Sequence, residues 1–340
     1  MSSPSEPAAS PAPDEPTVAA GRTRSEERPS PGSPRPSLVC EGLAKRYGDV
    51  VAVADVGFSV HPGECVGLLG PNGAGKTTTV EMLCGLLPPD AGRIELLGRE
   101  WRGPAVAELR GRIGVQLQEA RLPDKLTVRE TLRLFCSFVP RHRGVAELLA
   151  MTALEEKRNA RVETLSGGQR QRLSLGCALA GRPEILFLDE PSSGLDPQSR
   201  RRIWEIAREL QAEGTTVLLT THYMEEAEQL CDRVAIIDHG RVIALDTPEG
   251  LVGSLGGEQM VLLELDRDAD AGPLRSLPGL ADLQQDGVRL RVTVQRVEAS
   301  LPGLLDEITR QGSRIESLSL RRATLEDVFI QLTRRTLRDV

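Results

Sequence analysis

The run Gly70-Pro71-Asn72-Gly73-Ala74-Gly75-Lys76-Thr77-Thr78 fits G-x-x-x-x-G-K-[ST] and constrains the fold more than any other stretch of the chain. It lies between Cys65-Val66-Gly67-Leu68-Leu69, which reads as a short buried strand, and Thr79 to Leu86, where apolar residues recur at helical spacing. A strand, a glycine-rich loop and a helix in that order make a phosphate cradle. Gly70, Gly73 and Gly75 let the backbone turn tightly and aim its N–H groups at phosphate oxygens without Cβ interference. The helix opening near Lys76 adds about half a positive charge at the same place. Lys76 supplies a full charge for the β- and γ-phosphates, and the Thr77 hydroxyl is a ligand for Mg²⁺. The competing reading, a glycine-rich turn with a solvated Lys76, does not account for the strand and helix on either side.

The composition narrows what such a cradle serves. A length of 340 residues favours two domains, and 39% hydrophobic residues suffice for a substantial core. A net charge of −7 argues against nucleic acid as the main partner. Cys40, Cys65, Cys84, Cys136, Cys177 and Cys231 are scattered, contain no C-x-x-C pair and mostly sit in apolar stretches. They are expected to be buried thiols rather than disulfides or zinc ligands. The N-terminus lacks an apolar signal core and no eighteen apolar residues run together, so the chain is expected to be cytosolic and to cross no membrane.

Residues 1 to about 36 are rich in Pro, Ser, Ala, Glu and Arg, with almost no large apolar side chain to repay ordering entropy, and are expected to be a disordered tail. Leu38 to Leu43 opens the folded part as a strand. After a turn at Tyr47-Gly48-Asp49, two further strands are expected, Val50 to Val53 and Val56 to Val60. Tyr47 presents either a face for a nucleotide base or a structural aromatic. Ile113 to Gln118 is another short strand, and Gln118 at its end is either a solvated glutamine or an amide that reaches Mg²⁺ and the γ-phosphate. From Thr127 to about Asn159 the pattern is helical and interrupted, with Leu132, Phe135, Phe138, Leu148 and Leu149 as packing residues.

Leu165-Ser166-Gly167-Gly168-Gln169 precedes a strongly helical stretch. Ser166 caps that helix and Gly167 and Gly168 leave bare N–H groups at its start, so it is either a second anion-binding end or an ordinary glycine-rich entry. Ile185-Leu186-Phe187-Leu188-Asp189-Glu190 is an apolar run ending in two carboxylates, the pattern of a central parallel strand with chemistry at its C-terminal edge. Asp189 is placed to hold Mg²⁺ with Thr77, and Glu190 to polarise an attacking water. Ser193 to Pro197 turns into an amphipathic helix from Gln198 to Ala212. The strand Thr215 to Thr221 ends at His222, on the same expected edge as Glu190. Met224 to Leu230 is helical with Glu225, Glu226 and Glu228 on its expected exposed side, and Val234 to Ala244 forms a terminal hairpin.

These pieces stand in the order and approximate spacing of an ABC-type ATPase, which the chain resembles over about residues 38 to 248. The most diagnostic are Leu165 to Gln169 and Ile185 to Glu190. Ser193-Gly194-Leu195-Asp196-Pro197 and Thr221-His222-Tyr223-Met224-Glu225-Glu226-Ala227 are most similar to the ABC-2 branch, which includes daunorubicin-resistance-type drug exporters. The resemblance implies a mixed α/β sheet core over residues 37–248 with a helical subdomain at about 119–180. It implies ATP as ligand, bound by Gly70, Pro71, Asn72, Gly73, Ala74, Gly75, Lys76, Thr77 and Thr78, with Tyr47 on the adenine and Mg²⁺ held by Thr77, Gln118 and Asp189. Glu190, His222 and Gln118 are then the catalytic groups, with Gln116 the rival for the role of Gln118 in coupling to a membrane subunit. Ser166, Gly167, Gly168 and Gln169 would meet the γ-phosphate on a second copy, with Asp196 across the same interface, which implies a head-to-tail homodimer.

Beyond about residue 248 these motifs stop. Met260 to Leu265, Val288 to Val294 and Ile315 to Leu320 alternate as strands, and Leu301 to Ile308 and Leu325 to Leu332 have helical spacing, giving a small α/β appendage over 249–340. Its ending Thr324-Leu325-Glu326-Asp327-Val328-Phe329 is similar to the tail of ABC-2 drug-export ATPases, where the resemblance implies a role in subunit pairing. The function implied is ATP hydrolysis that powers export of a drug or other hydrophobic compound through a separate ABC-2 type permease, at the cytoplasmic face of the membrane. The rival is a soluble ABC ATPase acting on ribosomes or DNA. Against it, the motifs occur once rather than in tandem and no sustained heptads interrupt the core.

Overall fold

The computed structural model describes residues 34–118, 121–255 and 259–333; all but the last few residues of the expected N-terminal tail lie outside them. In chain order the elements begin with β1 (Leu38–Tyr47), β2 (Val50–Val60), β3 (Cys65–Leu69), α1 (Lys76–Leu83), β4 (Ala91–Leu96), β5 (Arg99–Glu100), α2 (Ala105–Arg110) and β6 (Ile113–Gln116). A helical segment follows with α3 (Val128–Ser137), α4 (Val145–Met151) and α5 (Gly167–Ala178). The core resumes with β7 (Ile185–Asp189), α6 (Pro197–Ala212), β8 (Thr216–Thr221), α7 (Met224–Leu230), β9 (Arg233–Asp238) and β10 (Arg241–Asp246). The chain ends in α8 (Pro248–Gly253), β11 (Gln259–Leu265), α9 (Ala271–Arg275), β12 (Leu280–Asp286), β13 (Arg289–Val294), α10 (Val297–Arg310), β14 (Ile315–Arg322) and α11 (Leu325–Thr333).

Ten strands form one mixed sheet in the order β5-β4-β1-β2-β10-β9-β3-β8-β7-β6. Every residue of β3, β7 and β8 is buried, as the continuous apolar runs require of parallel strands covered on both faces. Alternate side chains serve two cores. Val66, Leu68, Ile185, Phe187 and Leu218 pack with α1 and the antiparallel strands, whereas Leu69, Leu186, Leu188, Val217 and Leu219 pack with the helical segment and α6. The registers Leu69↔Thr221 and Asp189↔Thr220 bring the C-terminal ends of β3, β7 and β8 to one edge. In parallel sheets this edge carries the ligand site.

The two strands expected across residues 50–60 are one continuous strand. The polar break at Ala54-Asp55 is not a loop but the seam of the sheet: both N–H groups donate to the Gly240 carbonyl, at 2.8 and 3.1 Å, and Asp55 pairs in register with Arg241 where β2 meets β10. β1 accommodates the change of direction by register shifts between Cys40 and Arg46. Two burial expectations also fail. Glu226 is fully buried, because its carboxylate accepts a 2.8 Å hydrogen bond from the Trp204 indole beneath α7. Phe138 is 68% exposed and touches Phe135 edge to face, since α3 ends at Ser137 and the ring lies past the packed face. All six cysteines are free and buried.

The C-terminal part divides its packing. β11, β12 and β13 bury Val261, Leu263, Leu265, Leu283, Leu290, Val292 and Val294 under α10, through Leu304 and Ile308. Leu251, Leu255, Leu325, Val328 and Phe329 instead join the core that holds α5, α6 and α7. β12 and α9 have no counterpart in the sequence reading; β12 is an edge strand whose Asp282, Gln284, Gln285 and Asp286 hide the apolar alternation.

The Asp327 carboxylate holds α11 to β14. It takes two hydrogen bonds from the Arg321 guanidinium, at 2.6 and 2.7 Å, and one from the Thr324 N–H at 2.9 Å. Burial alone would raise the Asp327 carboxyl, but Arg321 and Thr324 outweigh it and hold it below the ordinary range. A depressed folded-state value means the stabilisation is present in full above the unfolded value near ~4 and is lost as pH falls through the folded one. Asp327→Asn should therefore cost about 2–3 kcal/mol at neutral pH, by strand-helix unpairing around a half-buried arginine. In denaturant titrations the deficit should vanish in acid, and Arg321→Leu with Asp327→Leu should lie within about 1 kcal/mol of the parent.

Candidate functional site

The loop between β3 and α1 keeps its shape because glycine is the only residue that fits at three points. A Cβ at Gly70 would collide with the Ile237 carbonyl, and one at Gly75, whose φ is +100°, with the Ala52 carbonyl. The third is Gly240, at φ +70°, whose N–H donates to Ala74 O at 3.0 Å while its own carbonyl takes the N–H groups of Ala54 and Asp55. Pro71 and Ala74 are buried; Asn72 and Gly73 project outward at the crown. Lys76 is 4% exposed, and its ammonium donates to Gly70 O (2.9 Å) and Pro71 O (3.0 Å) while standing 3.6 Å from Glu190 Oε1. Burial lowers the Lys76 ammonium from its ordinary value, against the pull of Glu190 and Asp189.

Beside the loop lies a cleft of about 510 Å³, lined by Val51, Asn72, Gly75, Lys76, Thr78, Gln118, Glu190 and their neighbours. Thr77 Oγ1 donates to Asp189 Oδ1 at 3.2 Å, joining α1 to the end of β7. Gln118 Nε2 donates to Glu190 Oε2 at 3.1 Å, and His222 Nδ1 lies 3.4 Å from the same oxygen. The structure thus brings Lys76, Thr77, Thr78, Gln118, Asp189, Glu190 and His222 to one place. Gln116 is elsewhere: it is fully buried at the end of β6, with neither side-chain polar atom paired. Tyr47 is half exposed at the end of β1, paired in register with Val50, and is not part of the cleft lining.

The two carboxylates have opposite electrostatic settings. Burial pushes the Asp189 carboxyl above its ordinary range, against hydrogen bonds from Thr220 and Thr77, and its Oδ2 is buried with no hydrogen-bond partner. Glu190 is held below its ordinary range, first by His222 and then by the charge of Lys76, in spite of burial. Its backbone sits at φ +46°, a left-handed conformation costing a non-glycine residue about 1–3 kcal/mol. Thr220 is the residue that sequence reasoning missed here. Its hydroxyl donates to Asp189 Oδ1 at 2.6 Å and accepts from the Glu190 N–H at 2.9 Å, so one side chain holds the Asp189 carboxylate and the Glu190 backbone. The sequence does not single it out, since β8 also carries Thr216 and Thr221.

Ser166, Gly167, Gly168 and Gln169 begin α5, where Ser166 and Gln169 form a reciprocal capping box at 3.1 and 3.3 Å. A Cβ on Gly168 would press on Ser199, whose hydroxyl donates to the α6 cap Asp196 at 2.7 Å. Two helix N-termini are therefore packed side by side. None of these six residues lines the cleft of the phosphate loop, and Ser166 and Gly167 are exposed. On the far side, Tyr223 stacks between His222, with ring centres 4.1 Å apart, and the Arg200 guanidinium at 4.5 Å, so α6 braces the histidine at the end of β8. Among the described residues no three His, Cys, Asp or Glu side chains are grouped to hold a metal.

A phosphate loop at the C-terminal edge of a parallel core, with an acidic pair on the adjacent strand and a serine-capped glycine helix facing away, defines a P-loop ATPase. Residues 53–193 match the ABC transporter family model, and residues 254–333 match the C-terminal domain of DrrA1-3-like ATP-binding proteins. The chain is 39% identical to the linearmycin resistance ATP-binding protein LnrL of Bacillus subtilis (strain 168), over 89% of its own length and 100% of that protein. It is 43% identical to the daunorubicin resistance ATP-binding protein DrrA3 of Streptomyces coeruleorubidus, over 87% and 96%. Among solved structures, the dimeric structure of a bacterial ABC transporter cassette aligns with TM-score 0.58 and 27% identity, covering 62% of this chain and 98% of that one. The chain belongs to the ABC transporter family, as one of its ATP-binding, ATP-hydrolysing subunits.

Thr220→Val removes the hydroxyl shared by Asp189 and Glu190 while keeping the side-chain shape. It should lower kcat about tenfold or more, equivalent to about 1.4 kcal/mol of misplaced carboxylate, with ATP affinity changed less than about threefold. Steady-state hydrolysis and nucleotide titration measure the two separately.

Proposed function

We propose that the chain is the energy-supplying subunit of a drug-type exporter, working as two copies on a separate ABC-2 type permease at the cytoplasmic face of the membrane. The observation that carries the two-copy reading is the division of the phosphate-binding ends. Lys76, Thr77 and Glu190 share one cleft, whereas Ser166 and Gly167, exposed at the start of α5, line none of it. The two halves complement each other across copies, Asp196 lying beside Ser166 at the seam. The relatives named for linearmycin and daunorubicin resistance favour a hydrophobic drug as cargo over the ribosome- or DNA-acting alternative.

The donor set suits Mg²⁺: Thr77 Oγ1, the unpaired Asp189 Oδ2 and the Gln118 amide oxygen are hard oxygen ligands, and a cation answers the burial that pushes the Asp189 carboxyl up. When bound, the ion neutralises charge on the β- and γ-phosphate oxygens. The chain's own residues do the rest. Lys76 leaves its loop carbonyls for the phosphates, Glu190 takes the proton of a water whose oxygen bonds to the γ-phosphorus, and the bond from that phosphorus to ADP breaks. His222, braced by Tyr223 and Arg200, holds the Glu190 carboxylate ionised and in place. Tyr47 and Val50 offer the adenine an exposed apolar corner.

No helix among the described residues is long and apolar enough to cross a membrane; in this reading the path through the bilayer belongs to the permease. A groove of about 300 Å³ between β6 and the helical segment, lined by Leu117, Leu122, Phe135, Phe138 and Cys177, suits a short helix of that partner. It begins one residue before Gln118, whose hydrogen bond to Glu190 then couples docking to chemistry.

Glu190→Gln keeps the shape of the side chain and removes its basicity. Hydrolysis should fall by ~10²–10⁴-fold while ATP binding persists and traps a closed pair of copies, seen as an ATP-dependent dimer by gel filtration with light scattering. Hydrolysis at the parental rate would remove Glu190 from this role.

A further inference from the structure

Arg200, Trp204 and Arg208 recur at every fourth residue along one face of α6, and each meets a residue on or just before α7. Arg208 donates to the Gln229 carbonyl and side-chain oxygen at 2.9 and 2.8 Å, and Trp204 donates to Glu226 at 2.8 Å. The first tie in the row differs in kind. The Arg200 guanidinium lies 4.5 Å from the centre of the Tyr223 ring, and the same ring lies 4.1 Å from that of His222, tilted by 41°. Arg202 on the same helix pairs with Glu205 at 2.9 Å and donates to the Met151 carbonyl, whereas Arg200 has no carboxylate partner among the described residues and its buried Nε makes no hydrogen bond. A cation so near a helix N-terminus is disfavoured by the helix dipole, and beyond the Asp196 cap the first turn of α6 holds no acidic residue to offset it. What holds Arg200 in place is the aromatic face.

The imidazole needs such a hold. His222 Nδ1 is buried 3.4 Å from Glu190 Oε2, a long contact without hydrogen-bond geometry, so no hydrogen bond at that nitrogen fixes the direction of the ring. We infer that Arg200 is a positioning residue for hydrolysis: its charge on the Tyr223 ring fixes the plane of the His222 imidazole at Glu190, so that α6 as well as β8 places the histidine. The inference rests on the roles proposed above for Glu190 and His222. The Tyr223 N–H donates to Thr221 Oγ1 at 2.9 Å, so the backbone of the tyrosine is anchored to β8 while its ring answers to α6. That helix starts at the Asp196 cap, beside Gly168, and in the two-copy reading its start lies at the seam. Turnover in each copy is thereby tied to the seating of its own α6. Charge and ring face carry the effect, not bulk: a lysine keeps the cation, and a phenylalanine keeps the face.

The test is steady-state ATP hydrolysis by the full chain, with ATP affinity measured separately by nucleotide titration. Arg200→Met keeps the length of the side chain and removes its charge; it should lower kcat about five- to tenfold and leave ATP affinity within about twofold. Arg200→Lys and Tyr223→Phe should each stay within about threefold of the parent, whereas Tyr223→Leu should match Arg200→Met. Arg208→Met removes the far tie of the same row and should leave kcat within about twofold. An equal loss there would make the row a structural brace only and overturn the assignment. The deciding comparison is the residual hydrolysis of His222→Ala, in which Arg200→Met should cost nothing further, because its effect passes through the imidazole. A further loss as large as in the parent, or no recovery with lysine, overturns the inference and leaves the roles of Glu190 and His222 standing. If His222→Ala alone turns over at the parental rate, the reading of the site falls, and this inference with it.

Discussion

The site depends on the backbone of one residue. The Gly240 carbonyl receives the N–H groups of Ala54 and Asp55 from β2, and its own N–H binds the Ala74 carbonyl inside the phosphate loop. Three parts of the molecule therefore meet there: the antiparallel strands, the parallel core and the loop between β3 and α1. A side chain at this position would strike the β2 backbone, and the same exclusion of Cβ holds at Gly70 and Gly75. The loop's curvature is imposed from outside by its neighbours as much as by its own glycines. That explains how its N–H groups are held in place before any phosphate arrives, so binding need not order them.

Around that fixed loop the chemistry is divided between two carboxylates with opposite tendencies. Asp189 is buried with an unpaired oxygen, a setting that calls for a cation; Glu190 is kept ionised by an imidazole and an ammonium, a setting that suits a base. Thr220 enforces the division, since its single hydroxyl donates to one and accepts from the backbone of the other. The left-handed backbone at Glu190 is the local cost of presenting adjacent residues to different partners.

Much of this was legible in the residues. The run from Gly70 to Thr78 needs only its own glycines, lysine and flanking periodicity to be recognised, and the apolar stretch from Ile185 to Leu188 fixes a buried parallel strand with its carboxylates at the end. Other features were hidden for physical reasons. Asp55 looks like a strand break because its backbone partner, Gly240, is remote in sequence. Glu226 looks like surface because nothing nearby announces the Trp204 indole that receives it. Thr220 is one of three threonines in β8, and nothing in the sequence sets it apart from Thr216 or Thr221. Whether Gln116 or Gln118 reaches the cleft turns on where β6 ends, at Gln116, which leaves the later glutamine free of the sheet.

The two tryptophans of the chain fall on opposite sides of the machine. Trp101 is wedged against Gly85 at the C-terminal end of α1, the helix that the phosphate loop feeds, while Trp204 is sealed beneath α7 on the helix capped by Asp196. Each indole is thus an internal optical probe of one part of the chain, the first of the helix that the phosphate loop feeds and the second of the helix capped by Asp196. Their emission can be recorded in real time without attaching a dye, and single replacement of either by phenylalanine separates the two channels.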